Sequence, residues 1–350
     1  MKTAEFDYDL PARLIAQTPI EPRDASRLMV VRRDGGSLED VWFRDLGVYL
    51  SPGDLIVCND TRVIPARLFG RKVPSGGKVE LLLTAKRDAT CWEALLRGRR
   101  VPEGGLVEFP GEEEKEGEAL LRAEVGERIA SGGRLVRFER EVEPFFRELG
   151  SVPLPPYIHR EIEDPERYQT VYAHEEGSAA APTAGLHFTP RLMEELRGQG
   201  INFAFVTLHV GVDTFLPIRE ERAEDHVIHS EFCLVPEDTA RAVNSTRRAG
   251  NRVVAAGTTV VRALESAAVE DEKLSWEVLE PYRGWTNLFI YPGFSFRVVD
   301  CLLTNFHLPR STLLLLVAAF AGKDLLDRAY EEAIQRQYRF YSFGDAMLIL

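Results

Sequence analysis

Two stretches set a histidine in company poor in charge. "APTAGLHFTP" (Ala181–Pro190) puts Gly185 two residues before His187, and "TNFHLPRS" (Thr304–Ser311) puts His307 between Phe306 and Leu308. An imidazole in such a setting can fill a core, bind a metal or move a proton. Three more polar clusters share one feature, an apolar run just before them. "NDTR" (Asn59–Arg62) follows "LIVC", "HVGVDTF" (His209–Phe215) follows "FAFVTL", and "GTT" (Gly257–Thr259) follows "VVAA". If the runs are strands of one open α/β sheet, their polar ends line one crevice, because ligands there bind beyond the carboxyl ends of the strands.

Each cluster also has a purely structural reading. Asn59 and Asp60 suit a turn closed by a side-chain hydrogen bond. Thr258 and Thr259 suit a helix cap, whereas the functional version uses Gly257 to admit a ligand and the helix start to receive negative charge. His307 suits a satisfied core position. A wholly structural account must also explain four histidines at or near proposed strand ends: His187, His209, His226 and His307. "HVIHSE" (His226–Glu231) has metal-ligand residue types, but "HVIHSEFCLV" alternates as a strand does, which sends His226 and His229 to opposite faces and favours hydrogen bonding over a metal. HExxH, GxSxG, GxGxxG and GxxxxGK[ST] are all missing.

The positioning elements are legible in outline. "PRLMEELRGQG" predicts a helix ending at Gly200, "INFAFVTLHVG" a buried strand, "PEDTARAVNSTRRAG" a helix, "NRVVAAG" a strand, "TTVVRALESAA" a helix, and "RVVDCLLTNFHLP" a strand before a Leu-rich helix. Strand–helix alternation predicts an α/β fold, a mostly parallel sheet with helices on both faces. Before these elements, from about residue 62 to 152, short alternating strands such as "KVELLLTAK", "CWEALLRG", "GLVEFP" and "GRLVRFE" predict a small β-barrel inserted between the N-terminal sixty residues and the α/β part they join. The expected division is 1–61 with 153–350 as the α/β catalytic domain and 62–152 as the barrel. "GEEEKEGE" (residues 111–118) reads as a solvated hairpin tip.

With 350 residues, 45% hydrophobic and 28% charged, the chain is globular and sized for two domains. Its formal net charge of -12 argues against non-specific coating of nucleic acid while leaving room for a local basic face. The four cysteines are widely spaced, which predicts reduced core thiols in a cytoplasmic protein. The longest apolar run, "TLLLLVAAFAG", falls short of the roughly 20 residues of a membrane span. Without a heptad pattern or an obvious exposed apolar stripe, the reading is of a monomer. "RQYRFY" (Arg336–Tyr341) interleaves arginine with aromatics, which suits stacking on unpaired bases and nominates Arg336, Tyr338, Arg339 and Tyr341 for RNA contact.

Taken in order, "FDYDLPARLIAQTPIEPRDASRLMV", "NDTRVIPARL", "APTAGLHFT", "HSEFC", "GTTVVRALES", "TNFHLPRSTLLLLVAAFAG" and "YRFYSFGDAMLI" resemble the S-adenosylmethionine:tRNA ribosyltransferase-isomerase family of queuosine synthesis. The resemblance covers nearly the whole chain and is weakest in the barrel. Two positions depart from the pattern: Asp213 stands where a glycine is expected, and Val260 where a serine is expected.

The resemblance implies a reaction in which the ribosyl part of S-adenosylmethionine, a co-substrate rather than a prosthetic group, moves to the 7-aminomethyl-7-deazaguanine at the wobble position of the tRNA anticodon arm. Adenine and methionine leave. The sulfonium acidifies the C5′ hydrogens, so the protein must supply a base near C5′, an acid near adenine and placement of the amine. No metal is implied. For the base, His187 is the first nominee and Asp60 and His307 are its rivals. Asn59, Thr61 and Arg62 are expected on the ribose hydroxyls and methionine carboxylate, and Thr183, Thr258 and Thr304 on adenine or ribose. Gly185, His209, Gly257, Thr259 and Asn305 complete the expected substrate contacts. Arg262 and Glu265 are spaced to pair on one helix face. Two other classes remain open at this point: an S-adenosylmethionine-dependent tRNA methyltransferase and a non-catalytic RNA-binding module.

Overall fold

A computed structural model describes residues 1–111, 120–129, 132–160, 162–211, 217–270 and 278–350. Asp213 and most of "GEEEKEGE" lie outside the described residues. In chain order the main strands are β1 (Arg27–Val31), β2 (Leu38–Trp42), β3 (Leu55–Asn59), β4 (Arg67–Lys72), β5 (Lys78–Lys86), β6 (Cys91–Arg97), β7 (Gly105–Phe109), β8 (Leu121–Arg128), β9 (Arg134–Phe138), β10 (Asn202–Leu208), β11 (Glu231–Val235), β12 (Val253–Ala256), β13 (Tyr282–Thr286), β14 (Cys301–Asn305) and β15 (Ala346–Ile349). The main helices are α1 (Pro190–Gly198), α2 (Glu237–Arg248), α3 (Thr258–Ala267), α4 (Thr312–Ala321) and α5 (Lys323–Gln335).

The chain divides into two compact units. One comprises Met1–Arg62, Pro155–Glu176 and Ala181–Leu350; the other comprises Val63–Leu154 and Gly177–Ala180. In the second unit, strands run antiparallel in the order β4-β5-β6-β9-β8-β7, and a β4–β7 pairing closes the barrel. Alternation decides what faces inward. Val79, Leu81 and Leu83 on β5, and Leu121, Ala123 and Val125 on β8, are buried between solvent-facing neighbours.

The first unit holds a nine-stranded sheet in the order β13-β11-β10-β3-β12-β14-β15-β1-β2. The expectation of a mostly parallel sheet is corrected here: the sheet is mixed. Parallel pairings join β10–β3, β3–β12, β12–β14 and β15–β1, and antiparallel ones join β13–β11, β11–β10, β14–β15 and β1–β2. The parallel heart is the set of unbroken apolar runs. Every residue of β3, β12 and β14 is buried, and each fully buried Val or Leu side chain contributes roughly 1.5–3 kcal/mol. Leu192, Met193 and Leu196 of α1 join Ile56, Cys58, Val254 and Leu303 in one core. Helix starts are fixed locally: the Thr189 hydroxyl accepts the Leu192 N–H at the start of α1, and the Ser311 hydroxyl accepts the Leu314 N–H at the start of α4.

Candidate active site at four adjacent strand ends

Because β10, β3, β12 and β14 are parallel neighbours, their carboxyl ends lie side by side, about 4.8 Å apart from strand to strand. His209, Asn59, Gly257 and Asn305 follow or close those four strands. A 3₁₀ turn, Thr183–His187, packs against β14. At Gly257 the chain leaves β12 with φ +115°, a conformation glycine allows, and a Cβ there would lie 3.6 Å from that of Ala184 in the turn. Gly185 is tighter still: a Cβ would meet the Tyr172 hydroxyl at 2.2 Å, so packing against Tyr172 explains this glycine.

Asn59 is saturated. Its amide nitrogen donates to the Leu208 carbonyl (2.9 Å) and the Thr259 hydroxyl (3.1 Å), and its Oδ1 accepts the N–H groups of Thr61 and Leu208, both at 3.1 Å. It ties β3, β10 and α3 together and has no lone pair or proton left for a ribose. Thr61 is also committed, with its hydroxyl 2.7 Å from His209 Nδ1. Thr259 therefore serves Asn59 rather than capping α3, whose N-cap is Gly257 without a side-chain bond. Thr258 is buried in the first turn of that helix, and so is Val260, the apolar departure from the family pattern.

His187 is buried and stacks on Phe43, with ring centroids 4.9 Å apart. Asn305 donates to the Tyr341 carbonyl at 3.0 Å and approaches His187 Nε2 at 3.3 Å. Nε2 is thereby the acceptor, and Nδ1 carries the proton that goes to the Ser26 hydroxyl at 2.7 Å. Burial, with the charges of Arg339 and Arg23 behind it, pushes the His187 pKa down to about 3. Desolvation alone does the same to His307, also to about 3; its Nε2 lies 2.7 Å from the Thr304 hydroxyl. Both imidazoles are neutral at pH 7.

Asp60 differs. It is only half-buried, its Oδ1 accepts the Thr207 hydroxyl at 2.7 Å, and burial raises its pKa above the usual carboxylate value, with Glu175 adding to the rise. His209, also half-buried, is shifted down by burial, with Glu175 opposing. Arg62 pairs with Glu166 near the surface.

A small open cleft is lined by Tyr157, Thr183, Asn305, His307, Tyr341 and Ser342, among others. Asn305 Oδ1 is buried there without a protein partner. An orphaned acceptor on a cleft wall matches an N–H donor from a ligand. Tyr157 and Tyr341, with ring centroids 4.8 Å apart, supply aromatic wall. Tyr157 was not among the residues nominated from sequence, and nothing in its local pattern signals the cleft.

Three further expectations need correcting. Tyr338 is fully buried, with Arg27 over its ring at 3.7 Å, Phe306 against it and its hydroxyl on Asp40 at 2.7 Å, so its ring is not offered to a base. Tyr341 is buried too, whereas Arg336 is exposed and paired with Glu332 and Asp40, and Arg339 is half-buried with its guanidinium on the Thr18 carbonyl. Arg262 pairs with Glu231, not with Glu265, which accepts the backbone N–H groups of Arg297, Val298 and Val299. "HVIH" is not strand: His226 ends a 3₁₀ turn and its Nδ1 meets Glu220 at 2.9 Å, and β11 begins only at Glu231. Among the described residues, no group of three or more His, Cys, Asp or Glu side chains is placed to hold a metal ion, and no helix is long and apolar enough to cross a membrane.

A mixed α/β sheet with polar groups at its parallel strand ends, in a chain that also forms an antiparallel barrel, defines the class. The profile of the queuosine biosynthesis protein family matches residues 3–349, and the chain belongs to that family. It is 52% identical, over the full length of both chains, to a protein of Halothermothrix orenii named S-adenosylmethionine:tRNA ribosyltransferase-isomerase. It is 53% identical, again over both full lengths, to one of that name from Thermotoga maritima. A crystal structure of S-adenosylmethionine tRNA ribosyltransferase from Thermotoga maritima aligns with a TM-score of 0.55 and 42% identity, covering 99% of this chain and 100% of that one.

Proposed function

We propose that this chain is an S-adenosylmethionine:tRNA ribosyltransferase-isomerase. It moves the ribosyl group of S-adenosylmethionine to the 7-aminomethyl-7-deazaguanine of a tRNA wobble position and rearranges it to the epoxycyclopentanediol of epoxyqueuosine, releasing adenine and methionine. The family match over residues 3–349 carries this reading, and the row of polar strand ends supports it. The catalytic unit is proposed to be 1–61 with 153–350, in the α/β arrangement, with 62–152 as an inserted accessory barrel. The protein is proposed to act as a cytoplasmic monomer on the anticodon arm.

Residue roles follow from which polar atoms remain available. Asp60 is the proposed acceptor of the C5′ proton, because a half-buried carboxylate of raised pKa is a stronger base than an imidazole titrating near 3. His187, the first nominee, is better placed to hold Asn305, whose Oδ1 takes an N–H of the substrate. His307, held from behind by the Thr304 hydroxyl, and Thr183 line the cleft for the nucleoside. Arg62 can leave Glu166, since a surface ion pair is worth about 0–1 kcal/mol, and present its fork to the methionine carboxylate. Asn59, Thr61, His209, Thr258 and Thr259 set the strand-end geometry. Incubation of precursor tRNA with S-adenosylmethionine tests the function. The expected result is a ribosyl mass gain on the tRNA with free adenine and methionine. S-adenosylhomocysteine would instead indicate a methyltransferase, and an unchanged RNA mass a binding module.

A further inference from the structure

With Tyr338 and Tyr341 buried, the arginine–aromatic surface that an RNA loop would need lies elsewhere. The outermost strand of the sheet, β13, pairs antiparallel with β11 so that Phe232 faces Trp285 and Leu234 faces Arg283. Directly paired residues, and residues two apart on a strand, share a face. Trp285, Arg283, Phe232 and Leu234 therefore form one surface. Trp285 exposes 59% of its area, more than any other Trp, Phe or Tyr among the described residues, and its ring meets Phe232 edge-on at 6.1 Å. The Arg283 guanidinium lies 5.4 Å from the Phe232 ring centre.

This surface runs into the candidate site. His209 stacks on Phe232 with centroids 5.5 Å apart, and the His209 backbone N–H donates to the Phe232 carbonyl at 3.0 Å. Thr207 pairs with Leu234, so it lies on the same face, and its hydroxyl reaches Asp60. The row Asp60, Thr207, His209, Phe232, Trp285 thus leads from the proposed proton acceptor to open solvent along one face of one sheet.

We propose that Trp285, braced by Phe232 and flanked by Arg283, is a stacking surface for an unpaired nucleotide of the tRNA anticodon loop. This rests on the reading that tRNA is the substrate. An indole offers a π-face to any base, and an adjacent arginine supplies positive charge for the phosphates. In a chain of net charge -12, which repels RNA at long range, stacking beside the Arg283 cation adds affinity that general electrostatics does not.

Binding of an anticodon stem–loop RNA, followed by fluorescence anisotropy, tests this without requiring turnover. Trp285→Ala is expected to weaken binding roughly tenfold, and Trp285→Phe to recover most of it. Arg283→Ala is expected to lower affinity and reduce the salt slope by about one. The thermal midpoints of all three should match the parent, because the side chains altered are on the surface. Trp285→Ala binding within twofold of the parent overturns the proposal. Turnover measured on the same preparations keeps the two readings apart. A parent that binds through Trp285 but transfers nothing retires the enzymatic reading and leaves the stacking surface standing. A parent that turns over with Trp285-insensitive binding does the reverse.

Discussion

His187 and His307, at one end of the strand-end row, and Asp60 and His209, at the other, are polar groups of similar chemical promise in opposite circumstances. The first two are buried, pushed down to a pKa of about 3, and engaged by Ser26, Asn305 or Thr304. The second two are half-buried, and the Asp60 carboxylate is shifted toward neutrality rather than away from it. Burial acts on both ends with one rule, disfavouring the charged form, but the consequence depends on the residue. It makes an imidazole a weaker base and a carboxylate a stronger one. On the proposed assignment the buried end holds geometry, and the open end exchanges a proton with the substrate.

Removing the open end's carboxylate is expected to have the largest effect. Asp60→Asn should lower kcat by about 10²–10⁴-fold, the range of a lost general base, with KM for S-adenosylmethionine changed only a few-fold. Asn59→Ala comes next. It strips four hydrogen bonds and orphans the buried N–H groups of Thr61 and Leu208, so chemical denaturation should show a loss of roughly 2–4 kcal/mol.

The buried end should reveal itself through pH. The folded pKa values of His187 and His307 lie near 3, below the ordinary 6.5, so between those values the unfolded chain binds more protons than the native one. The stability from the two imidazoles is therefore fully present above 6.5 and is lost as pH falls toward 3, at about 1.4 kcal/mol per pH unit for each. His187→Gln should remove one of the two contributions, visible as a shallower fall of unfolding free energy between pH 6 and 4. The smallest effect is expected outside the row: Tyr338→Phe loses the bond to Asp40, costs about 1 kcal/mol and leaves RNA affinity unchanged.

The sequence carried the helices and central strands well, because unbroken runs such as "LIVC", "VVAA" and "CLLTN" are what doubly covered strands look like. It carried the polar strand ends for the same reason, since a run that stops must stop at something. It did not carry strand direction. Nothing in "AMLI" records that β15 enters between β14 and β1, antiparallel to the former and parallel to the latter. Nor did it carry saturation: Asn59 reads identically as a ligand-binding amide and as the staple between β3 and β10. "RQYRFY" misled because alternation of arginine and tyrosine looks the same whether the rings face solvent or, as with Tyr338, lie under Arg27 and against Phe306. The stacking surface at Trp285 was hidden because its partners Phe232 and Arg283 become neighbours only through the β11–β13 pairing.

The most direct test of the strand-end account is single-turnover release of adenine from S-adenosylmethionine in the presence of precursor tRNA, with parent, Asp60→Asn and His187→Gln compared at pH 7.5. The account predicts rapid release by the parent in step with the mass gain of the tRNA, near-complete loss in Asp60→Asn despite a native fold, and a smaller loss in His187→Gln. Release by Asp60→Asn at the parent rate, with His187→Gln folded and inert, would contradict it.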